Sequence, residues 1–155
     1  MSALDNLRLL ASNVAANKTV NVPGYAIPRP KYTDLTSNGL TKCIIDSIRM
    51  NGYQAERISV EGRTIDTRKT YIDVSGRRKT IGNVKRIKAS SQIGSADISA
   101  TINGKSVKIE VKIGRDRQSD EQKLYQESVE RAGGIYLIAR DFQQFYDWFE
   151  SIKKG

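Results

Sequence analysis

Asp97, Glu110 and Lys112 are the side chains of this chain best suited to chemistry. They stand in the segment Gly94-Ser-Ala-Asp97-Ile-Ser-Ala-Thr-Ile-Asn103-Gly104-Lys-Ser-Val-Lys-Ile-Glu110-Val-Lys112. Asn-Gly between alternating apolar residues is a strong hairpin signal. A two-residue turn at Asn103-Gly104 pairs Ile102 with Lys105, and the register then carries Asp97 directly opposite Glu110. Cross-strand partners have Cβ atoms about 4.5–5.5 Å apart. Alternation along the strands puts Asp97, Ser99, Glu110 and Lys112 on one face and Ile98, Ala100, Ile109 and Val111 on the other. Two facing carboxylates repel, and a divalent cation with oxygen ligands offsets that repulsion. Mg²⁺ on such a pair keeps room for phosphate oxygens. A lysine beside it can orient a water and stabilise negative charge. These are the parts needed to hydrolyse a phosphodiester. The plainer alternative is a surface hairpin with a Glu-Lys-Asp salt network. Against it stand the apolar opposite face, which makes the hairpin part of a core, and a basic segment just before it.

That basic segment concentrates the charge of the chain. Of the net +9 over 155 residues, +7 lies between Arg63 and Lys88. Arg63, Arg68, Lys69, Arg77, Arg78, Lys79, Lys85, Arg86 and Lys88 face only Asp66 and Asp73 there. Such a stretch points to a polyanion, nucleic acid first, with a merely solubilising surface as the alternative. Arg115 and Arg117, in the polar loop after Lys112, join these residues as candidate nucleic-acid contacts.

Composition removes other chemistries. The chain has no histidine and one cysteine, which excludes Ser-His-Asp and Cys-His catalysis, His-ligated zinc and internal disulfides. Cys43 sits in a helical pattern beside Ile44, Ile45 and Ile48 and reads as a small buried apolar residue. No apolar run approaches the roughly 18 residues of a membrane span. The N-terminus lacks the pattern of a secretory signal. A cytoplasmic protein is expected.

The elements that must position the trio follow from periodicity. A helix over residues 2–16 shows the stripe Leu4, Leu7, Ala11 and Val14, with Ser2 as cap. Residues 17–34 hold all three prolines and read as an arm. A second helix over 37–51, capped by Thr36 or Ser37, buries Leu40, Ile44, Ile45 and Ile48 and ends at Asn51-Gly52. A strand is expected from Gln54 to Val60, and a hairpin about Ser75-Gly76. After the Asn103-Gly104 hairpin, Ser119 opens a helix to about Ala132. Ile135-Tyr-Leu-Ile-Ala139 reads as a strand covered on both faces. In a last helix from about Asp141, Phe142, Phe145, Phe149 and Ile152 share one face, and Trp148 reads as core. The order implies an α/β fold with a mixed central sheet flanked by helices. Residues from Val107 to Ala139 form a strand-helix-strand crossover in this reading. The boundary is placed at residue 34, with an N-terminal helix and arm before it and the main domain over 35–155.

This pattern resembles the PD-(D/E)xK nuclease superfamily, with its restriction-endonuclease-like sheet. Within it the closest resemblance is to VRR-NUC domains. Gly94-Ser95-Ala96-Asp97, Glu110-Val111-Lys112, Gln122 and Gly133-Gly134-Ile135-Tyr136 carry the likeness, in order, over about residues 35–150. It implies a Mg²⁺- or Mn²⁺-dependent DNA endonuclease acting on branched DNA such as a Holliday junction. It also implies a homodimer, by analogy with small stand-alone, phage-like members. Asp97, Glu110 and the Val111 carbonyl would hold the metal, Lys112 would position water, and Gln122 would support the site. Ser119-Asp-Glu-Gln122 is also a capping box, which gives Gln122 a structural role compatible with the other. The family's helix Glu has no acidic match here; Asn38 stands in the corresponding position, and Ala96 replaces a common Pro. Two other readings stay open. One is a nucleic-acid-binding module without cleavage, and the other is a basic factor that captures a protein through residues 1–34.

Overall fold

The computed structural model describes residues 1–19, 21–27, 30–58, 63–87 and 92–153. The chain falls into two compact units. The first comprises residues 1–58 and 94–155, and the second residues 59–93. Residue 34 is not a border between units, because the first helix belongs to the first unit and its buried face lies in the same core.

In the first unit, α1 (Ala3–Lys18) begins with a complete capping box between Ser2 and Asp5. It buries Ala3, Leu7 and Ala11. The arm that follows contains one short 3-10 turn, Gly24–Ala26, while the expected Pro28 lies outside the described residues. Helix α2 (Ser37–Met50) is capped by the Thr36 hydroxyl and buries Leu40, Cys43, Ile44 and Ile48. Strand β1 is Gln54–Arg57 and stops before Ile58, short of the expected end; Ser59 and Val60 fall outside the described residues.

The second unit holds β2 (Arg63–Asp66), β3 (Lys69–Ile72), β4 (Arg78–Ile81) and β5 (Val84–Ile87). Strands β3 and β4 form the expected hairpin about Ser75-Gly76. The pairing of β2 with β5 was not legible in the sequence, since neither strand alternates polar with apolar residues.

Back in the first unit, β6 (Ile98–Ile102) and β7 (Lys105–Val111) form the central hairpin. The turn has the left-handed backbone it requires, with φ of 49° at Asn103 and 75° at Gly104. The register is the expected one, from Ile102 opposite Lys105 to Ile98 opposite Ile109. Helix α3 (Asp120–Arg131) crosses over to β8 (Ile135–Ala139), which runs parallel to β7. Helix α4 (Phe142–Lys153) closes the chain with Phe142, Phe145 and Phe149 fully buried.

The result is α/β, with a four-stranded mixed sheet in the order β1-β6-β7-β8. Its apolar face, Ile98, Ala100, Ile102, Val107, Ile109 and Val111, is buried in one core with residues of α1, α2 and α4. One expectation needs correction. Strand β8 is not covered on both faces: it is an edge strand, and Ile135, Tyr136, Leu137 and Ile138 are only half-buried. Helix α3 has no buried residue of its own, so it covers its side of the sheet only in part. No helix among the described residues is long and apolar enough to cross a membrane.

Candidate active site

The polar face of the sheet gathers the predicted trio. Glu110 is 2 % exposed and Lys112 6 %, burial that an ordinary surface salt network does not reach. Lys112 Nζ lies 3.1 Å from Glu110 Oε1 and 3.6 Å from Asp116 Oδ2. Asp97 comes one residue before β6, next to the last ladder pair, Ile98 opposite Ile109, and its charge acts on Glu110. Its Oδ2 accepts a hydrogen bond from the Val111 N–H at 2.9 Å. On an antiparallel strand a residue's N–H and C=O point toward the same neighbour, so the Val111 carbonyl is directed to the Asp97 side. The Asp97 backbone is pinned from the other side, its carbonyl accepting the Ile58 N–H at 2.8 Å.

The turn before Asp97 depends on Gly94. Its φ is +80°, and a Cβ there would lie 2.6 Å from the backbone carbonyl of Glu121. The missing side chain lets the loop carrying Asp97 pass against the first turn of α3. That turn brings in Gln122. Its Oε1 accepts from the Ser119 N–H at 3.0 Å, closing the capping box, while its Nε2 donates to Glu110 Oε1 at 2.5 Å. The capping role and the site role coexist in one amide.

Glu110 has an electrostatic problem. Burial raises its pKa above the ordinary value, and the Asp97 carboxylate raises it further; Lys112 and Gln122 oppose this only in part. Both of those partners sit on Oε1. Oε2 is buried with no hydrogen-bond partner among the described residues. A buried unpaired carboxylate oxygen is costly, and an oxygen-seeking cation is the ligand it suits. The residues present therefore fit Mg²⁺ or Mn²⁺ at Asp97 Oδ, Glu110 Oε2 and the Val111 carbonyl. Among the described residues there is no group of three acidic, His or Cys side chains about one point. Asn38 Oδ1 accepts from Arg57 Nη2 at 2.8 Å, so its amide oxygen is held by a guanidinium.

Tyr136 is the site residue that sequence reasoning missed. The parallel register sets it beside Lys108, on the face that carries Glu110. Among the described residues its hydroxyl is, like Glu110 Oε2, a buried side-chain atom without a hydrogen bond. Burial pushes the phenol up to about 12, with the Glu110 charge adding to that, and Gln118 lies alongside without a well-formed bond. The available signal was a polar tip inside an aliphatic run, Ile135-Tyr-Leu-Ile-Ala. Tyr125 of α3 stacks edge-on against the Tyr136 ring.

The basic candidates divide between the units. Arg115 and Arg117 are exposed on the loop after β7. Arg140 Nη1 holds that loop by the carbonyls of Gly114 and Asp116. In the second unit, Arg68, Lys69, Arg77, Arg78, Lys79, Lys85 and Arg86 are all exposed. Arg63 is described in its backbone alone, and Lys88 lies outside the described residues.

No protein-family model matches the chain, and no curated protein matches it at a significant level.

Proposed function

We propose that the chain is a Mg²⁺- or Mn²⁺-dependent DNA endonuclease. The observation that carries this reading is Glu110. Its buried, unpartnered Oε2 stands beside Asp97, while Lys112 and Gln122 both occupy Oε1. That asymmetry leaves one carboxylate oxygen for a cation and holds the ammonium next to it. Asp97, Glu110 and the Val111 carbonyl would hold the cation, which would supply Lewis acidity and charge neutralisation at the scissile phosphate. Lys112 orients the attacking water and stabilises the negative charge that grows on the phosphoryl oxygens. Gln122 fixes the Glu110 carboxylate, and Val111 fixes Asp97 through its N–H. The exposed arginines and lysines attract the polyanionic substrate. A preference for branched DNA and a two-fold dimer cleaving it symmetrically follow from the resemblance to VRR-NUC domains and belong to this proposal.

The test is cleavage of labelled four-way junction, flap and duplex DNA with Mg²⁺, Mn²⁺ or EDTA. Metal-dependent products that vanish in Asp97→Ala are expected. Wild type and Asp97→Ala behaving alike on every substrate overturns the reading. A second reading, DNA binding without cleavage, draws on Asn38, a neutral residue engaged by Arg57 where the related domains carry an acid. It predicts salt-dependent binding, no Mg²⁺ uptake in calorimetry and no products.

A further inference from the structure

Among the described residues the second unit holds two antiparallel two-stranded ladders, β2-β5 and β3-β4, that follow one another along the same two segments of chain. The pairs Arg63–Ile87 to Asp66–Val84 and Lys69–Ile81 to Ile72–Arg78 share a single register. Thr67 and Asn83 bridge the interval in that same register through hydrogen bonds of 2.9–3.2 Å. Every residue of β3 and β4 is exposed, so neither face of that part is covered by protein. An uncovered two-stranded ribbon is marginal in water, and this one also leaves Ile72 70 % and Val74 fully exposed. What it presents instead is charge. Asp66 and Asp73 are taken by Arg68 and Lys79. Lys69, Arg77, Arg78, Lys85 and Arg86 form no ion pair with any described residue. By the two-residue alternation of strands, lysines and arginines fall on opposite faces in each half: Lys69 and Lys79 against Arg78, and Lys85 against Arg86.

We infer that this ribbon is a duplex-DNA arm that lies along a groove with its cations against the phosphates on both sides. A flat acidic surface would meet one face of the ribbon and leave the other cationic face unanswered. A groove walled by two phosphate strands answers both. The dimensions agree. Strands about 4.8 Å apart make a ribbon that the roughly 12 Å major groove admits. Thr70, Thr80, Ile72 and Ile81 sit among the cations, where hydroxyl and methyl groups can meet base edges and sugars. The inference deepens the DNA reading above and rests on it for the choice of polyanion, but it needs no catalysis.

The test therefore uses the full chain in EDTA, where binding is measured without cleavage. The probe is a fluorescent duplex of about 30 base pairs, titrated by anisotropy at salt from about 50 to 300 mM. Replacing Lys69, Arg78, Lys85 and Arg86 together by Gln is expected to weaken binding at least about tenfold. The slope of log affinity against log salt should fall by about 3.6, since each of the four lost phosphate contacts removes about 0.9. Lys18→Gln, an exposed lysine at the end of α1 outside the site, should leave both unchanged. Val74→Cys carrying an iron chelate gives a second readout at the ribbon tip. The label is selective, because Cys43 is fully buried with its thiol pushed up to about 11. Cuts on both strands confined to one groove are expected. Unaltered affinity and slope in the fourfold variant, or a cutting pattern like that of untethered reagent, overturns the arm. Groove-directed binding combined with no metal-dependent cleavage would sink the nuclease reading and leave the arm standing.

Discussion

The Gln122 amide is divided between Ser119 and Glu110: its oxygen caps α3 and its nitrogen holds the carboxylate of β7. A helix start and a candidate catalytic residue are thereby tied to one side chain. The two functions are separable by substitution. Ser119→Ala removes the hydroxyl that caps α3 and should cost about 1 kcal/mol in urea unfolding, with cleavage changed less than about twofold. Gln122→Ala should cost a similar amount of stability and also lower metal-dependent cleavage about 10–100-fold, as expected when a group supporting a ligand is lost. Equal cleavage by the two variants would make Gln122 a cap and nothing more.

The facing carboxylates predict a pH effect of definite sign. Glu110 has a folded-state pKa above its ordinary 4.5, from burial first and Asp97 second. Between those two values the folded chain binds more protons than the unfolded chain. Stability therefore falls as pH rises through that window and stays reduced above it. Asp97→Asn keeps an acceptor for the Val111 N–H and removes the repulsion. NMR titration should then find the Glu110 pKa moved down, and the Tm should lose less between pH 4 and pH 7. An unchanged Glu110 titration in Asp97→Asn would show that the two carboxylates do not couple.

Lys112 is the buried countercharge of Glu110. Lys112→Met keeps the volume of the stem and leaves the carboxylate unanswered. Removing one member of a buried pair typically costs about 3–5 kcal/mol, and the loss should be larger at pH 7 than at pH 4, where Glu110 accepts a proton. Single-turnover cleavage should drop about 10²–10³-fold at neutral pH. A variant that cleaves at the wild-type rate removes Lys112 from the chemistry.

Tyr136 carries a buried hydroxyl with no bond to make. Tyr136→Phe deletes only that group, so stability should stay within about 1 kcal/mol of wild type or rise. If the hydroxyl serves a bound phosphate or its water, cleavage falls severalfold at unchanged Tm. Rates and Tm that both match wild type would assign it no role.

The candidate site was legible where local rules govern it. Asn103-Gly104 admits one tight turn, and a turn of fixed length leaves one register, so Asp97 opposite Glu110 followed from residues within fifteen positions of each other. The caps at Ser2, Thr36 and Ser119 were equally local, each a side-chain oxygen meeting unpaired N–H groups at a helix start. The outer pairing of the ribbon was not legible, because β2 and β5 lack alternation and meet only through partners about twenty residues apart.

Residue types and spacing thus decided which groups could share a strand face and that they would be two acids and a lysine. Burial was decided by the packed chain. It took the parallel return of β8 and the crossing of α3 to remove water from Glu110, direct Gln122 and Lys112 to one of its oxygens, and leave the other bare beside Tyr136. Desolvation depends on everything that surrounds a group, including segments far away in sequence. The order of residues along one hairpin therefore specifies a register but not the electrostatic environment that gives it a use.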